Sequence, residues 1–131
     1  MSAFDALRIA SSGLGAHQTW LDTLAGNIAN VNTARPMNQN AFQAQMLELG
    51  SAPGGGVEVV GVATSDPQGR VVNDPENALA DANGNVRMPE VDLASQMSQL
   101  IMAQRGYQAS VQTTKTAQDT YTAALQIGTG R

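Results

Sequence analysis

Residues 7–28 read LRIASSGLGAHQTWLDTLAGNI, and their spacing decides what kind of fold this chain builds. Leu7, Leu14, Leu21 and Ile28 recur every seven residues, while Ala3, Ala10, His17, Leu24 and Val31 hold the companion position three residues later. Rows at this spacing lie on one side of an α-helix, so the pattern predicts a long amphipathic helix with a coiled-coil-like seam over residues 1–31. Gly13, Gly15 and Gly26 each weaken such a helix by roughly 1 kcal/mol relative to alanine. They also let a neighbouring backbone approach closely, so the helix is expected to depend on packing partners.

The far end of the chain offers a partner. Met97, Leu100, Gln104, Tyr107, Val111, Thr114, Gln118, Tyr121 and Leu125 follow one another at spacings of three and four. This is a second heptad-like seam, part apolar and part polar, over residues 91–131, with Gly128 and Gly130 as helix breakers. Between the two seams, residues 32–90 are loop-rich. AFQAQMLELG (41–50) is a short helical or extended segment, and SAPGGG (51–56) reads as a flexible link. VEVVGVATS reads as a strand, DPQG (66–69) as a turn and RVVND as a returning strand, which predicts a β-hairpin near 57–73. The expected fold is mostly α with a small β insert: long N- and C-terminal helices packed as a coiled-coil-like pair, with a central loop-rich β-hairpin region, in one subunit.

Composition limits the function. The chain has 131 residues and no cysteine, which excludes disulfides and thiolate metal sites. The net charge is −4 and only 14% of residues are charged, so the basic footprint of a nucleic-acid binder is missing. No apolar run has bilayer-spanning length, and the N-terminal residues lack the pattern of a cleavable signal peptide. Twenty residues are alanine, whereas Leu, Ile, Val and Phe together number only 26, a thin supply for a self-sufficient core. The surface is rich in uncharged Gln, Thr, Asn and Ser instead. Such a surface is expected to face other protein more than bulk water.

No constellation points to an enzyme. His17 is the sole histidine and sits in a helix seam, so a packed or partner-facing imidazole is expected rather than a base or a zinc ligand. Ser11 and Ser12 lack a base, and neither GLG (13–15) nor PGGG (53–56) completes a nucleotide-binding fingerprint. Asp5, Asp22 and Glu48 are scattered. DANGNVRMPEVD (81–92) places Asp81, Asn83, Asn85 and Asp92 at positions 1, 3, 5 and 12 of a calcium-type loop. The glycine such a loop needs at position 6 is Val86, and position 9 is Pro89. Turn and cap chemistry fits these residues better: Asp-Ala-Asn-Gly-Asn favours tight turns, Pro89 keeps Met88 out of helical geometry, and Asp92 caps the helix that follows.

The same segments carry a family resemblance. LDTLAGNIANVNTARP (21–36) resembles the Asn-rich motif of flagellar rod and hook axial proteins, with Asn27, Ile28, Ala29, Asn30, Asn32 and Thr33 matching. LADANGNVRMPEVDL (79–93) with AQRGYQASVQTTKTA (103–117) is similar to the C-terminal signature of proximal-rod subunits, including Asp81, Asn83, Gly84, Pro89 and Asp92. The resemblance runs nearly end to end. It departs at Asn85, where an aromatic is common, and at Glu90, where Asn is common.

The resemblance implies a structural, non-enzymatic subunit of the bacterial flagellar basal body, exported by the flagellar type III apparatus. It implies self-assembly through the terminal helices into the axial tube that surrounds the export channel and transmits torque. It implies no cofactor, no metal, no nucleic acid and no small-molecule substrate. The implied partners are other copies of the chain, other flagellar rod proteins, and MS-ring and export-gate components. Leu7, Leu14, Leu21, Leu24 and Ile28 would pack against Leu100, Tyr107, Val111 and Leu125, within and between subunits. Asn27, Asn30 and Asn32 would satisfy backbone groups where the first helix ends, and the 57–73 hairpin would form an outer layer. The competing readings are a small calcium-binding protein using residues 81–92 and a soluble flagellar export adaptor.

Overall fold

The computed structural model describes residues 2–130. Met1 and Arg131, at the outer limits of the two terminal segments, lie outside the described residues, as does the side chain of Ala3. The element order is α1 (Ala3–Ala29), β1 (Gln45–Ser51), β2 (Val57–Thr64), β3 (Arg70–Asn73), β4 (Asn85–Met88) and α2 (Leu93–Gly128). The molecule is mostly helical, with a small two-sheet β region between the helices in sequence.

Ser2 starts α1 by a reciprocal cap. Its hydroxyl accepts from the Asp5 N–H at 3.1 Å, and the Asp5 carboxylate accepts from the Ser2 N–H at 2.9 Å. The Ser2 backbone N–H, then its hydroxyl, hold the Asp5 carboxyl below the usual carboxylate range. The carboxylate's share of the cap is thus present at neutral pH and is lost as the pH falls through that lowered value. Where the chain enters the second helix, Asp92 caps α2 by accepting from the Ala94 N–H at 3.2 Å. α2 runs on through Gly128 and ends at Thr129. Gly128 is therefore not a breaker, and the stop falls at Gly130 with φ +69°.

The helices pair antiparallel. Phe4 meets Tyr121 at 6.4 Å between ring centroids, His17 meets Ser110, and Asn27 meets Gln96. α2 has 36 residues to the 27 of α1, so at 1.5 Å per residue it is longer by about 14 Å.

The middle region departs from the expected 57–73 hairpin. The DPQG turn does form: the Gly69 N–H donates to the Asp66 carbonyl at 3.1 Å and the Gln68 N–H to Asp66 Oδ1 at 2.7 Å. Its flanking strands do not pair with each other. β2 pairs antiparallel with β1, and β3 with β4. The reason is length and side-chain complement. β1 offers β2 a register from Gln45↔Thr64 to Ser51↔Val57, with Leu47 opposite Val62 and Leu49 opposite Val59. β3, with four residues, has no comparable ladder to give. SAPGGG is correspondingly not a loose link but the turn of the β1–β2 hairpin. Gly54, Gly55 and Gly56 have φ of 89°, 96° and 99°, a run of conformations that side chains oppose.

The core is small and split. Among the described residues its buried apolar side chains are Ala16, Leu24, Ala41, Ala44, Val86, Pro89 and Ala103, joined by the polar Asn27. The surface area is 8239 Å², whereas a compact monomer of this mass exposes roughly 6,600 Å². The alanine-rich composition thus yields an extended subunit with a thin interior.

Candidate functional site

The residues that the resemblance singles out fall in two places: the helix pair with its junction to β1, and the turn and exit of the separate β3–β4 sheet, which packs on neither helix. Asn27 is the centre of that junction. It is 1% exposed and bonds to two other elements. Its Oδ1 accepts from the Gln45 N–H at 2.9 Å, and its Nδ2 donates to the Gln45 carbonyl at 2.8 Å and to Gln96 Oε1 at 2.9 Å. One amide therefore fixes the first residue of β1 and the first turns of α2 onto α1. The expectation was that Asn27 serves the end of its own helix; it serves its neighbours instead. Asn30 does serve that end, donating from Nδ2 to the Gly26 carbonyl at 2.9 Å. Ala29 is the last residue of α1, and Asn32 is exposed on the turn beyond it.

The helix contact itself is made by small residues. Ala103 is fully buried on α2, with Gly106 and Ser110 following on the same face. His17 lies against them. Its Nδ1 is 2.8 Å from the Gly13 carbonyl and 3.1 Å from Ser110 Oγ. A carbonyl only accepts, so the hydrogen of that pair sits on Nδ1. The Nε2 edge faces Gly106, where a Cβ would overlap the imidazole.

Within one subunit the expected seam residues divide into covered and uncovered ones. Leu24 is buried, and Leu7, Leu14, Leu21, Ile28, Leu100 and Tyr107 are half-buried along the pair. The row that accompanies Leu100, Tyr107, Thr114 and Tyr121 is Gln96, Ala103, Ser110 and Ala117, not Met97, Gln104, Val111, Gln118 and Leu125. The phase is one residue off because close-packed helices take small residues at their contact, while a pattern search favours large ones. Val111 and Leu125 consequently point out of the pair, in company with Met97 and Ile101. Trp20, Gln96, Ala103 and Gly106 were missed altogether. Ala103, Ser110 and Ala117 recur at seven residues, a signal visible only when small residues are counted as seam formers.

The 81–92 stretch is a turn and a joint. Asp81 Oδ1 accepts from the N–H groups of Asn83 at 2.8 Å and Asn85 at 2.9 Å. Asn73 Nδ2 donates to the Asn83 carbonyl at 3.1 Å and to Asn85 Oδ1 at 3.0 Å. The acidic and amide groups are spent on the chain itself. Among the described residues, no group of three or more His, Cys, Asp or Glu is placed to hold a metal. Val86 and Pro89 are buried, and Arg87 ties the joint to the segment after the Asn-rich motif by donating to the Met37 carbonyl at 3.1 Å and to the 66–69 turn by donating to the Gln68 carbonyl at 2.7 Å. Gly84 has φ +77°, and a Cβ there would lie 2.9 Å from Pro75 Cγ. Gly84→Ala is expected to cost about 1–2 kcal/mol through the left-handed backbone alone, read as a lowered midpoint in thermal unfolding with helicity retained.

The β1–β2 hairpin is held against α1 as well. The Arg8 guanidinium donates to the carbonyls of Gly54 and Gly55, and Ser12 Oγ accepts from the Val57 N–H at 3.0 Å while donating to the Ile9 carbonyl at 2.7 Å. α1 is thus flanked by α2 and by the hairpin.

Comparison with known families places this paired terminal-helix frame in the class of flagellar rod proteins. Residues 7–36 match the family model described as flagella basal body rod protein, and residues 82–127 match that of the flagellar basal body rod FlgEFG protein C-terminal region. The chain is 33% identical to the flagellar basal-body rod protein FlgC of Salmonella typhimurium, over 98% of this chain and 99% of that one. It is 29% identical to the FlgC of Bacillus subtilis over 98% and 99%, and 26% identical to that of Borreliella burgdorferi over 97% and 98%. The chain belongs to the FlgC family of flagellar basal-body rod proteins.

Proposed function

We propose that this chain is a structural subunit of the flagellar basal-body rod, located in the basal body, and that it enters the rod through α1 and α2. The observation that carries the reading is end-to-end similarity to rod proteins, joined to a subunit whose helix pair leaves large apolar side chains uncovered. Met97, Ile101, Val111 and Leu125 are all exposed on α2. Burying one such side chain is worth about 1.5–3 kcal/mol, so assembly supplies the burial that the thin core lacks. In this reading the protein is not an enzyme. It acts by filling its place in a tube that surrounds the export channel and carries torque. Leu7, Leu14, Leu21, Leu24, Ile28, Leu100 and Tyr107 serve the pair, while Val111 and Leu125 serve contacts between subunits. The neighbours are other copies, other rod proteins, and MS-ring and export-gate components, with the β1–β2 hairpin as the outward surface.

Leu21 is half-buried on α1. Leu21→Asp places a charge in that contact and is expected to abolish swimming and remove the protein from purified basal bodies. Normal motility with normal incorporation would contradict the placement.

A further inference from the structure

The turn that leads into β4 holds one peptide unit of unusual chemistry. Of the nine asparagines in the chain, Asn83 alone is followed by glycine. With no side chain on Gly84, its backbone nitrogen meets little hindrance in approaching Asn83 Cγ. Asn83 is exposed to water, whereas Gly84 is buried. The peptide unit between them is held on both sides. Its N–H, on Gly84, donates to the Asp81 carbonyl at 2.9 Å, and its carbonyl, on Asn83, accepts from Asn73 Nδ2 at 3.1 Å. The next unit is held as well, because the Gly84 carbonyl accepts from the Asp74 N–H at 2.8 Å.

We propose that Asn83 is a self-modification site, which deamidates through Gly84 and which the folded turn keeps closed. The Gly84 nitrogen loses its proton and attacks Asn83 Cγ. A bond forms between them, and the side-chain nitrogen leaves as ammonia, closing a succinimide ring. Water then opens either ring carbonyl, leaving aspartate or isoaspartate at position 83. Water is consumed and ammonia released, with no change of oxidation state. Ring closure needs the 83–84 peptide unit to turn until its nitrogen faces Cγ. In the folded turn that rotation breaks the bonds to Asp81 and Asn73 together and strips the buried Gly84 N–H of its acceptor. Conversion therefore proceeds from the opened turn, and its rate follows the open population. The product does not restore the original turn. Isoaspartate inserts an extra main-chain carbon into the loop that the Asp81 N–H closes on the Asn85 carbonyl at 3.0 Å. Either product also adds a carboxylate within two residues of Asp81. The turn thus keeps a one-way chemical record of time spent open, a property separate from any role in a rod.

The test follows deamidation by peptide mapping and mass spectrometry of the full chain, incubated at mildly alkaline pH either native or in guanidinium chloride. In denaturant, amide-to-acid conversion is expected at position 83 ahead of every other asparagine, with Asn85 as a nearby control. In the native chain the rate at position 83 is expected to be at least about tenfold lower. Asn73→Ala removes the donor to the Asn83 carbonyl. It is expected to raise the native rate severalfold and leave the denatured rate unchanged. If that variant loses its helicity, Asn85→Ala replaces it, since it removes only one acceptor of the Asn73 amide. Earlier conversion at another asparagine, equal native and denatured rates, or a native rate unmoved by the folded variant would each overturn the proposal.

Discussion

A Gly106→Val chain should lose its helix pair, whereas Gly15→Ala should gain stability. Both positions lie inside helices, where replacing glycine by alanine removes a penalty of about 1 kcal/mol and replacing it by β-branched valine removes less. At Gly15 nothing lies within 4 Å of the added Cβ, so that gain is realised. At Gly106 the new atoms overlap the His17 imidazole. The ring cannot swing aside freely, because Nδ1 is held by the Gly13 carbonyl and Ser110. Either the imidazole leaves those partners or the helices separate. Overpacking of this kind costs about 1–3 kcal/mol, more than the helix propensity gained. Thermal unfolding followed by circular dichroism should show opposite shifts for the two variants, with swimming lost only for Gly106→Val. Equal shifts would mean that the helices do not approach at this point.

Asn27→Ala should be at least as damaging. The substitution strands the Gln45 N–H and carbonyl and Gln96 Oε1 together at a buried junction. A buried polar group left unpaired costs about 1–3 kcal/mol, so a loss of roughly 2–4 kcal/mol is expected for the site. Asn27→Asp keeps the acceptor for the Gln45 N–H but turns a carboxylate toward two oxygens, so at neutral pH it should give no rescue. Because Asn27 joins three elements, the loss should spread. Hydrogen exchange should speed up in β1 and in the first turns of α2, well outside α1. Exchange changes confined to α1 would reduce Asn27 to a local helix residue.

These residues also show where sequence reading succeeds and where it stops. The seven-residue rows predict both long helices because helix periodicity is local and survives averaging over many positions. The inner row of α2 was misplaced because hydrophobic size is a poor guide to a contact made of Ala103, Gly106 and Ser110. Their value lies in what they leave out, and that depends on a partner as far away in sequence as His17 is from Ser110, 93 residues. The β region misled in a related manner. DPQG carries real turn chemistry and the turn forms, but a turn does not compel its flanks to pair when β1 offers β2 a longer ladder. Three glycines between them read as slack, although their positive φ values build the hairpin. Asn27 was legible as a motif residue and as polar, yet its bonds to Gln45 and Gln96 join residues 18 and 69 positions away. DANGN, by contrast, reads correctly as a turn because its bonds stay within a few residues.

Cryo-electron microscopy of basal bodies purified from cells that make this chain tests the central claim most directly. The account predicts density in the rod that fits α1 and α2 paired antiparallel, with Asn27 beside Gln96 and Gly106 against His17. A rod built without this chain, or one in which the chain is present but its two helices lie apart, would contradict it.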